Sequence, residues 1–191
     1  MNKKCRPVTY EEYTEIISLL RSGFEYNGHN IRSKERIADA LILQANLGVR
    51  IQDLVKLRLS DFIRDGSSYR IDIVEQKTKK KREFRVPLEV INFIQEYSIR
   101  WGIKPEQKLF PFSVRNIQKY LKMVCEKLEL KNVSTHSMRK FYATSTYKDN
   151  GNDIRLVQIL LQHSSVRTTQ RYIGIEDEKV EEAISKNVHL L

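Results

Sequence analysis

The sequence predicts a mainly α-helical fold with one small antiparallel β-sheet. Two observations lead there. Apolar residues recur at three- and four-residue spacing through most of the chain, which is the period of a helix face. Only residues 69–86 alternate with period two, and a basic run splits that region as a hairpin tip would.

The first helix starts after Thr9, which can cap it, and Glu12 can complete a capping box. Ile16, Ile17, Leu19 and Leu20 form its apolar face. Residues 23–30 are polar and contain glycine, so they read as a loop. Ser33 opens a second helix. It carries Ile37, Ala40, Leu41 and Leu47 on one side, and Gly48 ends it. A short helix follows from Arg50, with Ile51, Leu54, Val55 and Leu57 as its apolar residues. A cation in a first turn opposes the helix dipole. Arg50 is therefore either a solvated side chain or one aimed at an anion.

Asp65-Gly66 marks a turn. Tyr69, Ile71, Ile73 and Glu75 then alternate with Arg70, Asp72 and Val74 as in a strand, and residues 83–86 form a second strand ending at Pro87. Between them lies KTKKKR, residues 77–82. Such a run is a solvated face or a loop that contacts phosphates, and the basic chain favours the second. Val90, Ile91, Phe93 and Ile94 mark a helix to about Trp101, broken by Gly102 and Pro105. Ser113 opens the next, with Val114, Ile117, Leu121, Val124 and Leu128 on its core side. Residues 136–147 read as a helix and 149–152 as a turn. Asp153 caps a helix to Leu161, and residues 162–165 break it. A short helix holds residues 168–172, and an amphipathic one spans residues 176–187.

Composition bounds the function. A chain of 191 residues with 40% apolar and 30% charged residues suits one large globular domain or two small ones. Lys and Arg outnumber Asp and Glu by 34 to 24, a net charge of +10, which favours a polyanionic partner, nucleic acid before membrane. Two cysteines, Cys5 and Cys125, are too few for a disulfide framework or a zinc cluster. No apolar stretch is long enough to span a bilayer, and none resembles a signal peptide, so the expected location is cytoplasmic.

The chemistry concentrates in residues 135–175. His136 and Arg139, three apart on a helix, share a face. They can present an imidazole and a guanidinium to one oxyanion, or form a polar helix edge. His163 lies in a break, where it can reach inward or cap a turn. Tyr172, nine residues later, is either a half-buried core tyrosine or a nucleophile.

In combination these features resemble the tyrosine recombinases, the phage-integrase family of site-specific DNA recombinases, from about Thr9 to about Ile184. GVRIQDLVKLRLSD, residues 48–61, looks like the box with the family's first arginine, here Arg50, and its acidic residue, Asp53. Lys77 matches the hairpin lysine, HSMR the H-x-x-R box, and LLQHSSVRTTQRY the second histidine and nucleophile. The resemblance implies the integrase catalytic-domain fold, with residues 1–191 forming a single catalytic domain. The N-terminal core-binding domain of most members is absent from this stretch, as expected of an excised fragment or of the short single-domain members. Residues 176–191 would be a C-terminal helix and tail that docks on a neighbouring protomer.

The implied reaction cuts and rejoins DNA through a 3′-phosphotyrosyl link. Tyr172 attacks, Arg50 and Arg139 clamp the phosphate, and Lys77 protonates the leaving 5′-oxygen. His136 assists the tyrosine proton, and His163 hydrogen-bonds the phosphate. No cofactor, metal or ATP is implied, and the sequence has no carboxylate cluster of the kind a two-metal nuclease needs. The implied partners are double-stranded DNA and three further copies on it, with a monomer in its absence and no membrane. Lys79, Lys80, Lys81 and Arg82 are expected along the DNA backbone. A type IB topoisomerase and a non-catalytic DNA-binding regulator on the same fold are the alternatives. Two departures stand out. Gln162 replaces the usual glycine before the second histidine. The hairpin tip is longer than usual, so counting back from Pro87 selects Lys79 as the lysine in place of Lys77.

Overall fold

The structure, a computed structural model, describes residues 5–174. The helix expected over residues 176–187 lies outside the described residues. The chain divides into two compact units, Met1–Phe141 and Tyr142–Leu191.

In the first unit, α1 (Tyr10–Ser22) begins with the expected capping box: Thr9 Oγ1 accepts from Glu12 N at 3.2 Å, and Thr9 N donates to the Glu12 carboxylate at 2.9 Å. The next residues differ from expectation. Instead of a loop, β1 (Phe24–Tyr26) and β2 (His29–Ile31) pair as an antiparallel hairpin. Asn27 and Gly28, with φ of 48° and 74°, form the two-residue turn that suits such a hairpin. Its arms are three residues long and mostly exposed, so no alternation announces them.

α2 (Glu35–Leu47) is the central helix of this unit and is buried on most sides, including at Asp39 and Gln44. The Asp39 carboxylate is compensated by Arg21 of α1 at 2.9 Å. Gly48 ends α2 in the left-handed conformation, φ 58°, which a glycine adopts without steric cost. α3 (Ile51–Leu54) follows, with Arg50 as its N-cap residue.

The sheet has three strands in the order β3 (Phe62–Asp65), β4 (Ser68–Val74), β5 (Lys81–Val86), all antiparallel. β3 was not expected; among its four residues only Phe62 is buried, so it carries no readable alternation. β5 begins two residues earlier than expected, which confines the hairpin tip to residues 75–80. α4 (Leu88–Arg100) packs against α2, and α5 (Val114–Lys127, capped by Ser113) packs against α1. Ile16, Leu20, Leu41, Leu54, Ile71, Ile94, Leu121 and Met138 belong to one continuous core.

α6 (Thr135–Asp149) contains the boundary between the units. The second unit continues with α7 (Ile154–Leu161) and α8 (Val166–Ile173). Among the described residues its core consists of Ala143, Tyr147, Val157, Leu161 and Ile173, with Tyr142, Ile154 and Tyr172 packed against them. Asp153 caps α7 by accepting from Arg155 N at 2.8 Å and Leu156 N at 3.0 Å. Ser165 caps α8, which starts two residues earlier than expected. No described helix is long and apolar enough to cross a membrane.

The two N–H groups that Asp153 satisfies make α7 depend on its cap, so Asp153→Ala is expected to cost about 1 kcal/mol, read as a lower urea midpoint for the second unit. An unchanged midpoint contradicts that dependence.

Candidate active site

The last carbonyls of a helix lack an intrahelical partner and carry the negative end of its dipole. At the end of α2 these carbonyls receive arginines. Arg82 donates from Nη2 to Leu47 O at 3.1 Å and from Nη1 to Gly48 O at 3.2 Å. Arg139, on α6, donates from Nη1 to the same Gly48 carbonyl. Both arginines are only 2% exposed.

This corrects one expectation. Arg82 is not part of an exposed basic tip. In β5 it shares a face with Phe84 and Val86, pairs across the sheet with Ile73, and lies over the Phe84 ring at 4.7 Å. Strand alternation turns it inward, so its guanidinium holds the α2 terminus and does not face solvent. Lys79, Lys80 and Lys81 are exposed. Lys81 is engaged with Asp72 at 2.9 Å and Glu83 at 3.4 Å across the outer face of the sheet.

Arg50 leaves the start of α3 and forms an ion pair with Glu75, the first residue of the hairpin tip. Glu75 is fully buried. It accepts from Thr78 Oγ1 at 2.7 Å, and its Oε1 lies 3.8 Å from Arg82 Nη1. Burial pushes the Glu75 carboxyl up, but the Thr78 hydrogen bond and the charges of Arg50 and Arg139 outweigh it and hold its pKa below the usual value. Glu75 is therefore ionised at neutral pH. Asp53, also buried, accepts from Gln76 N at 2.8 Å and so fastens the hairpin tip to α3. The tip closes on itself through Glu75 N to Lys80 O at 3.0 Å and Lys79 N to Glu75 O at 2.9 Å, with Lys79 at φ 57°.

His136 stands in the first turn of α6, exposed, with its backbone N–H bonded to Ser134 Oγ at 3.2 Å. Its pKa is held below 6.5, first by desolvation of the ring against neighbouring protein and then by Arg139, Lys77, Arg50 and Lys140. Four cations thus surround an imidazole that is neutral at pH 7. Four of the six expected catalytic residues, Arg50, Lys77, His136 and Arg139, are gathered in this unit. The sequence reading missed Glu75 as a partner of Arg50. The signal was available: an acidic residue on the inward parity of a strand needs a cation.

The other two, His163 and Tyr172, are neighbours within the second unit. Gln162 ends α7 in the left-handed conformation, φ 53° and ψ 40°. This is the backbone a glycine would favour, so the departure is accommodated with the expected turn intact. His163 is pinned through its backbone, donating to Gln158 O at 3.0 Å and accepting from Gln158 Nε2 at 3.0 Å. Its Nδ1 lies 3.1 Å from the hydroxyl of Thr169, which is fully buried and donates to Ser165 O at 3.3 Å. The imidazole meets the Tyr172 ring edge-on, with centroids 5.1 Å apart. Among the described residues no group of three or more His, Cys, Asp or Glu is placed to hold a metal ion.

Two outcomes follow. Lys77→Met is expected to raise the His136 midpoint in an NMR titration, and Lys79→Met to move it less; the reverse order would place the wrong lysine beside the histidine. Gln162→Gly is expected to be neutral or stabilising by up to about 1 kcal/mol, whereas the β-branched Gln162→Val costs roughly 1–2 kcal/mol in thermal unfolding.

Comparison with known proteins adds four findings. The model of the phage integrase family matches residues 8–179. The tyrosine recombinase XerC of Caldanaerobacter subterraneus subsp. tengcongensis is 33% identical over 193 residues, covering 94% of this chain and 50% of that protein. The catalytic domain of bacteriophage HP1 integrase superposes with a TM-score of 0.64 at 16% identity, covering 96% of both chains. A lambda integrase tetramer bound to a Holliday junction gives 0.67 at 19% identity, over 90% of this chain and 49% of that one. At these identities the structural likeness shows a shared fold. The chain spans about half the length of the curated relatives it matches.

Proposed function

Because this chain belongs to the phage integrase family, we propose that it cuts and rejoins DNA at specific sites through a covalent 3′-phosphotyrosyl intermediate. The observation that carries this is the neutral imidazole of His136 set among Arg50, Lys77 and Arg139. A cluster of that sign and density suits a phosphodiester whose charge grows in the transition state.

On DNA, Arg50 and Arg139 hold the non-bridging oxygens of the scissile phosphate, and His163 hydrogen-bonds it. Tyr172 Oη attacks phosphorus while neutral His136 takes the phenolic proton. The bond to the 5′-oxygen breaks, and Lys77 supplies the proton that leaves a free 5′-hydroxyl. Rejoining reverses each step with the 5′-hydroxyl of another strand, so the energy of the broken bond is kept and neither ATP nor a metal takes part.

Residues 1–191 act as the catalytic domain. Lys79, Lys80 and Lys81 contact the DNA backbone near the hairpin. Recombination uses four copies on two duplexes, in keeping with the tetrameric lambda integrase; the cytoplasm is the place of action.

Nicked suicide duplexes drawn from the DNA flanking the gene test this. Wild type should form an adduct that survives denaturation, and Tyr172→Phe should form none; equal behaviour of the two excludes the mechanism. Lys77→Met should slow adduct formation by roughly 10²-fold or more. Acidification through the lowered pKa of His136 should also slow it, because protonated His136 cannot accept the tyrosine proton. A rate that rises on acidification would contradict that role.

A further inference from the structure

Glu75 has no part in the chemistry proposed above, yet it is an ionised carboxylate with no solvent exposure. Such a group needs compensation on every side. Thr78 Oγ1 donates to it at 2.7 Å, and Arg82 approaches to 3.8 Å. Arg82 is itself fixed by Leu47 O, Gly48 O and the Phe84 ring. The third contact is Arg50, through Nη1 alone. The Nε and Nη2 groups of Arg50 have no protein hydrogen-bond partner among the described residues. One end of the guanidinium is held from within, and the other donors remain for an oxyanion from outside.

We infer that Glu75 is a positioning residue for strand cleavage. Held by Thr78 and Arg82, it fixes Arg50 by one nitrogen so that the remaining donors meet the scissile phosphate already oriented. This rests on Arg50 being a phosphate clamp. The opposite arrangement, a resident anion that competes with phosphate for Arg50, predicts the opposite kinetics. The open donors favour positioning. A misplacement of about 1 Å in such a clamp costs on the order of 10²-fold in rate, so the anchor matters although it never touches DNA.

Two readouts on the full chain decide it. The first needs no DNA: the ¹⁵N signal of Arg50 Nε–H, identified by its loss in Arg50→Lys. In wild type it should behave as an ordered side chain. In Glu75→Gln it should join the mobile arginine signals. Thr78→Val, which removes one support from an exposed position and spares the fold, should shift it part of the way. The second is adduct formation with the nicked duplexes beside retention of DNA in native gels. Glu75→Gln should slow the adduct roughly 10²-fold while retention changes less than about twofold. Arg50 equally ordered in wild type and both variants overturns the inference. So does wild-type cleavage by Glu75→Gln, and so does faster cleavage, as a competing anion would give. If wild type forms no adduct, the recombinase reading fails, and the arginine signal still decides whether Glu75 holds Arg50.

Discussion

The end of α2 has to carry more positive charge than a protein interior tolerates unaided. Arg82 and Arg139 both terminate on Gly48 O, and the charge of Arg139 also reaches Glu75, the partner of Arg50. Two unit charges about 6 Å apart repel by roughly 3 kcal/mol at an effective dielectric of 20. Hydrogen bonds to charged groups return about 1.5–3 kcal/mol each. The carbonyls of Leu47 and Gly48, the α2 dipole and the Glu75 carboxylate therefore offset the repulsion. What remains is a held, positive site, which is the condition for binding an anion without first rearranging. Gly48 is central because its left-handed φ both stops α2 and turns its carbonyl to the arginines.

The same cluster sets the chemistry of its neighbours. It keeps His136 neutral, which makes an imidazole in a basic site a proton acceptor. It also keeps Glu75 ionised despite burial. Both pKa values are thus lowered: that of His136 first by desolvation of its ring and then by the cations, that of Glu75 by the Thr78 hydrogen bond and the arginines against the effect of burial. In the second unit the logic is different. His163 is fixed by backbone and hydroxyl contacts, and its edge-on contact with Tyr172 orients the two rings against the described core of that unit.

Much of this was legible in the sequence because helices announce themselves. The caps at Thr9, Ser113 and Asp153, the stop at Gly48 and the motif residues on α3, α6 and α8 all fall where spacing and end signals place them. The strands were harder. The hairpin of β1 and β2 and the four residues of β3 bury one residue each, so no alternation marks them. The basic run misled for a related reason. Its cations look alike in sequence, and only the β5 register separates Arg82, on the parity of Phe84 and Val86, from the exposed Lys79, Lys80 and Lys81. Glu75 was read as one more strand residue; its role depends on a partner twenty-five positions earlier, a separation that no local pattern reports.

Gathering of guanidiniums for one phosphate is best tested by crystallography with tungstate, an oxyanion located by its anomalous scattering. If α2 and Glu75 hold the arginines as described, a single tungstate should lie within hydrogen-bonding distance of both Arg50 and Arg139, beside His136. Tungstate bound only along Lys79, Lys80 and Lys81, or bound to Arg50 with Arg139 turned away, would contradict it.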